Sequence, residues 1–309
     1  MNKKTILITG VGGYIGSALA IKLSEKYFVI GYGRGGNFKE LQKKINNNVE
    51  LIEGDIIDTD LIARAVRRAD VVIHAASPVS DAECMADPWG AIKTIIRGTR
   101  VVADAVNVNK ILQFIYFSTQ AVYSNSKPRQ MPFTENMELL PDNLYGSLKA
   151  EAEQEVLKMS AVILRPSNIY GEGHGVGRRA STVIEQFVES SKNGGGLHIK
   201  GDESRGIDFI HVRDVVLFVE KLIANQIKGG QVFNVSSNES LSLKDLAELV
   251  VKHAEVICGV KSKIIFDKSG EQKLNLKRRL DNARAREIFP DFPTIPLEEG
   301  IDELLKQKE

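Results

Sequence analysis

The sequence predicts an α/β fold, a doubly wound parallel sheet joined to a smaller mixed α/β lobe. Three observations predict it: short β-branched runs alternate with amphipathic stretches through the first half, a glycine-rich turn separates the first run from the first helical pattern, and the rhythm loosens after about residue 165. Strand–helix–strand alternation implies right-handed crossovers, and these give a parallel sheet covered on both faces.

The strand candidates are residues 5–9, 28–32, 49–53, 71–74, 112–117 and 162–164. Between them, residues 14–24 and 60–68 carry helical periodicity, and 89–106 is the longest early helix. Further on, helices are expected at 181–191, 212–224 and 243–254, with short strands at 197–200 and 232–235. The expected division is a dinucleotide-binding domain over 1–165, to which 208–235 returns, and a substrate-binding lobe over the rest of 166–309. Gly194-Gly195-Gly196 reads as a turn between elements, not as a linker.

A chain of 309 residues with 43% hydrophobic content can bury a substantial core. Its 41 basic and 40 acidic residues nearly cancel, which argues against a nucleic-acid surface. The two cysteines, Cys84 and Cys258, are far apart and lack metal or disulfide spacing, so no metal site is expected and a reducing cytoplasm fits. No apolar run approaches the ~20 residues needed to cross a bilayer, and no targeting segment is evident.

Thr9-Gly10-Val11-Gly12-Gly13-Tyr14-Ile15-Gly16 links the first strand candidate to the first helix. In that setting Gly10 permits a tight turn, Gly13 allows backbone to approach a pyrophosphate, and Gly16 lets helix and strand pack closely. Tyr14 and Ile15 open the helix, whose N-terminus offers N–H groups to an anion. This is the pattern of a Rossmann domain. Rossmann proteins that prefer NAD usually carry a carboxylate after the second strand. Here Gly33-Arg34-Gly35-Gly36 stands there, and the Arg34 fork suits a 2′-phosphate. NADP(H) is therefore the expected coenzyme, with NAD(H) as the alternative.

Tyr145-Gly146-Ser147-Leu148-Lys149 places a phenol and an ammonium on one helix face, one turn apart. A lysine charge beside a tyrosine favours the phenolate. Phe117-Ser118-Thr119-Gln120-Ala121-Val122-Tyr123 follows the fifth strand candidate at the ligand-facing edge of the sheet, so the Thr119 hydroxyl can orient a substrate oxygen.

Together with His74-Ala75-Ala76, Leu164-Arg165-Pro166-Ser167-Asn168-Ile169-Tyr170-Gly171 and Asp208-Phe209-Ile210-His211-Val212, these motifs occur in the order found in extended short-chain dehydrogenases. The chain resembles their nucleotide-sugar epimerase/dehydratase branch over nearly its whole length. That resemblance implies Tyr145 as acid/base, Lys149 as its pKa-lowering and ribose-binding partner, and Thr119 in the family's Ser/Thr position. It also implies Asp55 and Ile56 beside the adenine, Ala75 and Ala76 along the coenzyme, Asn168 on the nucleotide-sugar, a structural His74 and a homodimer. Two departures stand out. Gln120-Ala121 replaces the acidic pair of the branch's dehydratases, which argues against dehydration. Ile207 replaces the usual arginine before Asp208, leaving Arg205, Arg213 and Arg279 as candidates for the diphosphate.

The expected activity is reduction of a 4-keto nucleotide-sugar. A 4-epimerase using the same residues is the close alternative, and a non-catalytic NADP(H)-sensing regulator a remote one.

Overall fold

The computed structural model describes residues 3–123, 130–171, 182–267 and 277–307. Its first half runs β1 (Thr5–Thr9), α1 (Tyr14–Leu23), β2 (Phe28–Gly33), α2 (Phe38–Gln42), β3 (Val49–Glu53), α3 (Thr59–Val66) and β4 (Val71–His74). Then follow α4 (Asp81–Ala86), α5 (Pro88–Ile92), α6 (Thr99–Val108), β5 (Gln113–Phe117), α7 (Leu144–Leu157) and β6 (Val162–Pro166). The second half contains β7 (Asn168–Tyr170), α8 (Val183–Lys192), β8 (Leu197–Lys200), β9 (Gly206–Ile207), β10 (Phe209–His211), α9 (Val212–Ala224) and β11 (Val232–Val235). It closes with β12 (Leu241–Ser242), α10 (Leu243–Cys258), β13 (Ile264–Asp267), α11 (Ala283–Ile288) and α12 (Leu297–Lys306).

Seven parallel strands form the main sheet in the order β11-β6-β5-β4-β1-β2-β3. The chain order reverses at β1, which pairs with β2 on one side and β4 on the other. A crevice therefore opens beyond the carboxyl ends of β1 and β4, the place where open α/β sheets bind ligands. Ile6, Leu7 and Ile8 are wholly buried because helices cover both faces, so these strands read as continuous apolar runs. One face packs against α1 and α9 through Leu19, Val215 and Phe218. The other packs against α3, α6 and α7 through Ile62, Val102 and Val156. A third core, with Phe187, Leu246 and Leu304, joins α8, α10 and α12.

Two helices differ from expectation. The stretch 89–106 is not one α-helix: a π-helical turn over Lys93–Gly98 separates α5 from α6. There Gly98 runs against the loop after β3, and a Cβ on it would come within 2.6 Å of Ile56 Cγ2. The helix expected at 243–254 continues to Cys258 and stops where Gly259 adopts a left-handed φ of 70°. Ser181, the start of the helix expected at 181–191, lies outside the described residues; α8 begins at Val183. Among the described residues no helix is long and apolar enough to cross a membrane.

Candidate functional site

The glycine turn closes tightly over the end of β1. Gly10 N–H and Val11 N–H both donate to the Tyr32 carbonyl, at 2.8 and 3.2 Å, and Gly13 N–H donates to Gly10 O at 2.9 Å. Gly10 has φ of 75°, and a Cβ there would lie 2.7 Å from Ala76 N. A side chain at Gly16 would overlap the Gly10 carbonyl, so this glycine sets the helix–strand approach. Among the described residues no side chain caps α1 and no carboxylate sits in its first turn, which leaves the helix N-terminus suited to an anion. Tyr14 donates its hydroxyl to Gly171 O at 2.6 Å, tying α1 to the end of β7, and Ile15 is half-buried. These residues fit a dinucleotide pyrophosphate.

Along the same crevice, Ala75 N–H donates to Thr9 O at 3.2 Å and Ala76 N–H to Thr9 Oγ1 at 3.4 Å. Exposed Asp55 faces Lys93 Nζ at 3.4 Å, beside buried Ile56. Arg34 is exposed and makes no hydrogen bond or ion pair among the described residues. Sequence reasoning missed two neighbours. Asn37 Nδ2 donates to Gly12 O at 2.9 Å and so braces the turn. Glu53 is in register with Gly33 on the adjacent strand, and residues in register share a sheet face. Its carboxylate, without a hydrogen bond or ion pair among the described residues, lies where any side chain at Gly35, φ 80°, would project. Gly33 itself has ordinary clearance, with Phe38 Cε1 3.6 Å from an added Cβ, so nothing steric keeps a carboxylate from that position.

Thr119, Tyr145 and Lys149 come together at the carboxyl end of β5. The N-terminus of α7 is fixed twice: Asn143 Oδ1 accepts from Gly146 N–H at 2.7 Å, and Asp81 Oδ1, from α4, accepts from Tyr145 N–H at 3.2 Å. A side chain at Gly146 would overlap the Ala121 carbonyl, so this glycine lets α7 close on the Thr119 loop. Half-buried Tyr145 hydrogen-bonds the Thr119 side chain. Burial pushes its phenol well above the usual value, and the Thr119 bond only partly offsets this.

Lys149, expected to lower the pKa of Tyr145, has close partners of its own. Lys149, 3% exposed, donates from Nζ to Phe117 O at 2.7 Å and to the Tyr116 hydroxyl at 3.5 Å. Burial pulls its own pKa down to about 7. Behind the pair, Glu153 and Arg165 form a buried ion pair, with Nη2 to Oε2 at 2.6 Å.

A cavity of about 650 Å³ is lined by Asn168, Gln186, His198, Lys200, Arg205 and Ile207, among others. Asn168 Nδ2 donates to Asp208 O at 3.0 Å. Of the three arginine candidates only Arg205 lines this cavity. Arg213 is held elsewhere by Glu303, with Glu299 at 3.8 Å, both on α12, because it projects from the first turn of α9. Arg279 is exposed. Its neighbour Arg278 instead feels the charge of Arg205, which, after burial, helps bring its pKa down to about 10. The one-residue difference follows from extended backbone: Leu280 bridges Phe133 and is buried, and residues two apart share a side.

A strand–glycine turn–helix crevice beside a Thr–Tyr–Lys group defines a dinucleotide-dependent α/β oxidoreductase site. The family model described as "NAD dependent epimerase/dehydratase family" matches residues 6–236. The chain belongs to that family, the nucleotide-sugar branch of the extended short-chain dehydrogenases, and is an enzyme of that class. It is 28% identical to a UDP-glucose 4-epimerase of Mycolicibacterium smegmatis over 96% of this chain and 95% of that one. Among solved structures, the UDP-glucose 4-epimerase of Thermotoga maritima with UDP-glucose superposes with a TM-score of 0.84. It is 26% identical and covers 97% of each chain. The UDP-glucuronic acid 4-epimerase of Bacillus cereus, in complex with UDP-glucuronic acid and NAD, has the same fold, at TM-score 0.81 and 24% identity, over 97% of this chain and 98% of that one. The family is NAD-dependent, and the expected preference for NADP(H) has no counterpart in these comparisons.

Proposed function

We propose that the protein is a nucleotide-sugar 4-epimerase that retains NAD through its catalytic cycle. The observation that carries this reading is the Thr119–Tyr145 hydrogen bond with Lys149 one helical turn away. The Gly10–Gly16 turn would hold NAD, which would supply reversible hydride transfer at the sugar C4. Tyr145 accepts the proton of the 4-hydroxyl as the ketone forms and returns it after the sugar has turned over. Thr119 orients the sugar oxygen. Lys149 uses two of its N–H donors on Phe117 and Tyr116, and its third serves a ribose hydroxyl. A cation near the phenol favours its ionised form against the effect of burial.

Arg205 and Arg278 hold the substrate diphosphate. Arg205 and Arg278 are both half-buried, and the charge of Arg205 acts against that of Arg278 more than Asp142 supports it, so an anion between them is stabilising, which supports this role in place of the missing arginine at Ile207. Gln120-Ala121 offers no acid for expelling a sugar hydroxyl, so dehydration is disfavoured. Glu53 supports NAD: its free carboxylate accepts from ribose hydroxyls and repels a 2′-phosphate.

One observation favours a second reading. The unpaired Arg34 fork suits NADPH, and with it a 4-keto reductase. Incubation with a panel of nucleotide-sugars and both coenzymes separates the two. An epimerase yields the C4 epimer with no net change in reduced-nicotinamide absorbance. Stoichiometric NADPH consumption overturns the epimerase reading. Tyr145→Phe should nearly abolish turnover while coenzyme affinity stays within a few-fold.

A further inference from the structure

A continuous file of buried polar side chains leads from the phosphate turn to Lys149. Thr9 Oγ1 lies 2.6 Å from His74 Nδ1, and His74 Nε2 lies 3.0 Å from Thr99 Oγ1. Thr99 hydrogen-bonds the Tyr116 hydroxyl, which accepts from Lys149 Nζ at 3.5 Å. Thr9, His74, Thr99 and Tyr116 are each no more than 1% exposed. They come from β1, β4, α6 and β5, so the file crosses the sheet beneath the crevice.

We propose that His74, Thr99 and Tyr116 are positioning residues that hold Lys149 in place and keep it charged, linking its protonation to the turn at Thr9 and Gly10. The inference rests on the reading above, in which Lys149 serves Tyr145 and the coenzyme.

The direction of the bonds follows from the lysine. An ammonium has only donors, so Tyr116 accepts from it, which leaves the Tyr116 O–H available to donate onward to Thr99. In that orientation Thr99 donates to His74 Nε2 and the imidazole proton lies on Nδ1, facing Thr9. Burial, with the Lys149 charge, holds the His74 pKa down to about 3, so the ring stays neutral and can both accept and donate. Hydrogen bonds that point one way in a low-dielectric interior strengthen one another. Loss of the Lys149 proton removes the constraint that orients the file.

The other titratable groups around Lys149 are Tyr145, one turn earlier on its own helix, Glu153, whose carboxylate supports the charge, and Cys84 from α4, a thiol that burial pushes toward its neutral form; burial of Lys149 opposes its charge. Phe117 O holds the ammonium directly but belongs to the backbone, so the side-chain file is the part that substitution can remove. A phenylalanine would fill the place of Tyr116 between the same strands, so packing alone does not require the hydroxyl.

The test is an NMR titration of protein labelled at the lysine ε-carbon, in the presence of coenzyme, with the Lys149 resonance assigned by its loss in Lys149→Arg. Removing an acceptor of the ammonium disfavours the charged form, so Tyr116→Phe and Thr99→Val should each move the Lys149 midpoint down by about 0.5–1 pH unit. Thr99→Ser, which keeps the hydroxyl, should restore the native midpoint. Unchanged midpoints in Tyr116→Phe, with only a lower melting temperature, overturn the proposal. Tyr116→Phe removes a single oxygen atom and keeps the ring, so it remains decisive if Thr99→Val does not fold. The readout needs no sugar substrate. A shifted midpoint in a protein that epimerises nothing leaves the positioning role standing and refutes the assigned reaction.

Discussion

Glu153→Gln should be among the most destabilising single substitutions in this chain, although Glu153 touches neither crevice nor cavity. Glu153 and Arg165 are 0% and 4% exposed. The guanidinium donates from Nη2 at 2.6 Å and from Nε at 3.0 and 3.3 Å, and Ser118 Oγ donates to the same carboxylate. Arg165 Nη1 reaches only neutral acceptors, the Tyr123 hydroxyl at 2.9 Å and Glu135 O at 3.2 Å. The amide of glutamine leaves the guanidinium buried without a counter-charge and points an N–H₂ at another donor. Removing one partner of a buried pair costs about 3–5 kcal/mol. An unfolding entropy of about 2.1 cal/mol/K per residue over the 309-residue chain makes each kcal/mol worth about 1.5 °C. The expected loss is therefore about 5–8 °C in calorimetric melting temperature. A double replacement, Glu153→Leu with Arg165→Met, should cost less than Glu153→Gln alone, because it leaves no orphaned charge. A shift below about 2 °C for the single variant, or a double variant less stable than the single, refutes the reasoning.

Coenzyme choice turns on two exposed side chains. NAD should bind about tenfold more tightly than NADP, Glu53→Gln should erase that margin, and Arg34→Ala should weaken only NADP. Fluorescence titration of both coenzymes checks this, and tighter NADP binding by the native protein returns the argument to Arg34. Gly16→Ala should weaken coenzyme binding at least tenfold, since the added methyl overlaps the Gly10 carbonyl and must displace the turn; unchanged affinity by the same titration contradicts that. We further propose a homodimer formed by the 89–106 stretch and α7, which neighbour each other on one face. Trp89 is 80% exposed at the start of that stretch, and sedimentation of native protein and Trp89→Glu should show dimer and monomer respectively.

What the sequence made legible is what local chemistry dictates. The strands buried on both faces appear as unbroken apolar runs, and the glycines at 10 and 16 are needed because no side chain fits there. Tyr145 and Lys149 are one turn apart on any α-helix. The less legible features depend on neighbours brought in from afar. The short, polar α4 has little periodicity, yet it delivers Asp81 to the Tyr145 N–H and Cys84 to Lys149. Arg278 and Arg279 are indistinguishable until the Phe133–Leu280 bridge fixes which one faces inward.

The motif residues themselves divide by a rule that spacing does not reveal. Arg165 lies in one of the six motifs, and there a charge near a sugar-nucleotide site invites a ligand role. The structure gives it a carboxylate from α7 and wholly internal partners. Arg205 lies outside the motifs and is half-buried without a carboxylate partner among the described residues. A buried cation whose charge is already balanced holds the fold together, whereas a half-buried one left unbalanced beside a cavity is stabilised by what enters it. His74, expected to be structural, has satisfied hydrogen bonds as does Tyr116, and the last bond of their file ends on the ammonium of Lys149. Their contribution is therefore to be sought in the protonation of that lysine and not in the melting temperature alone.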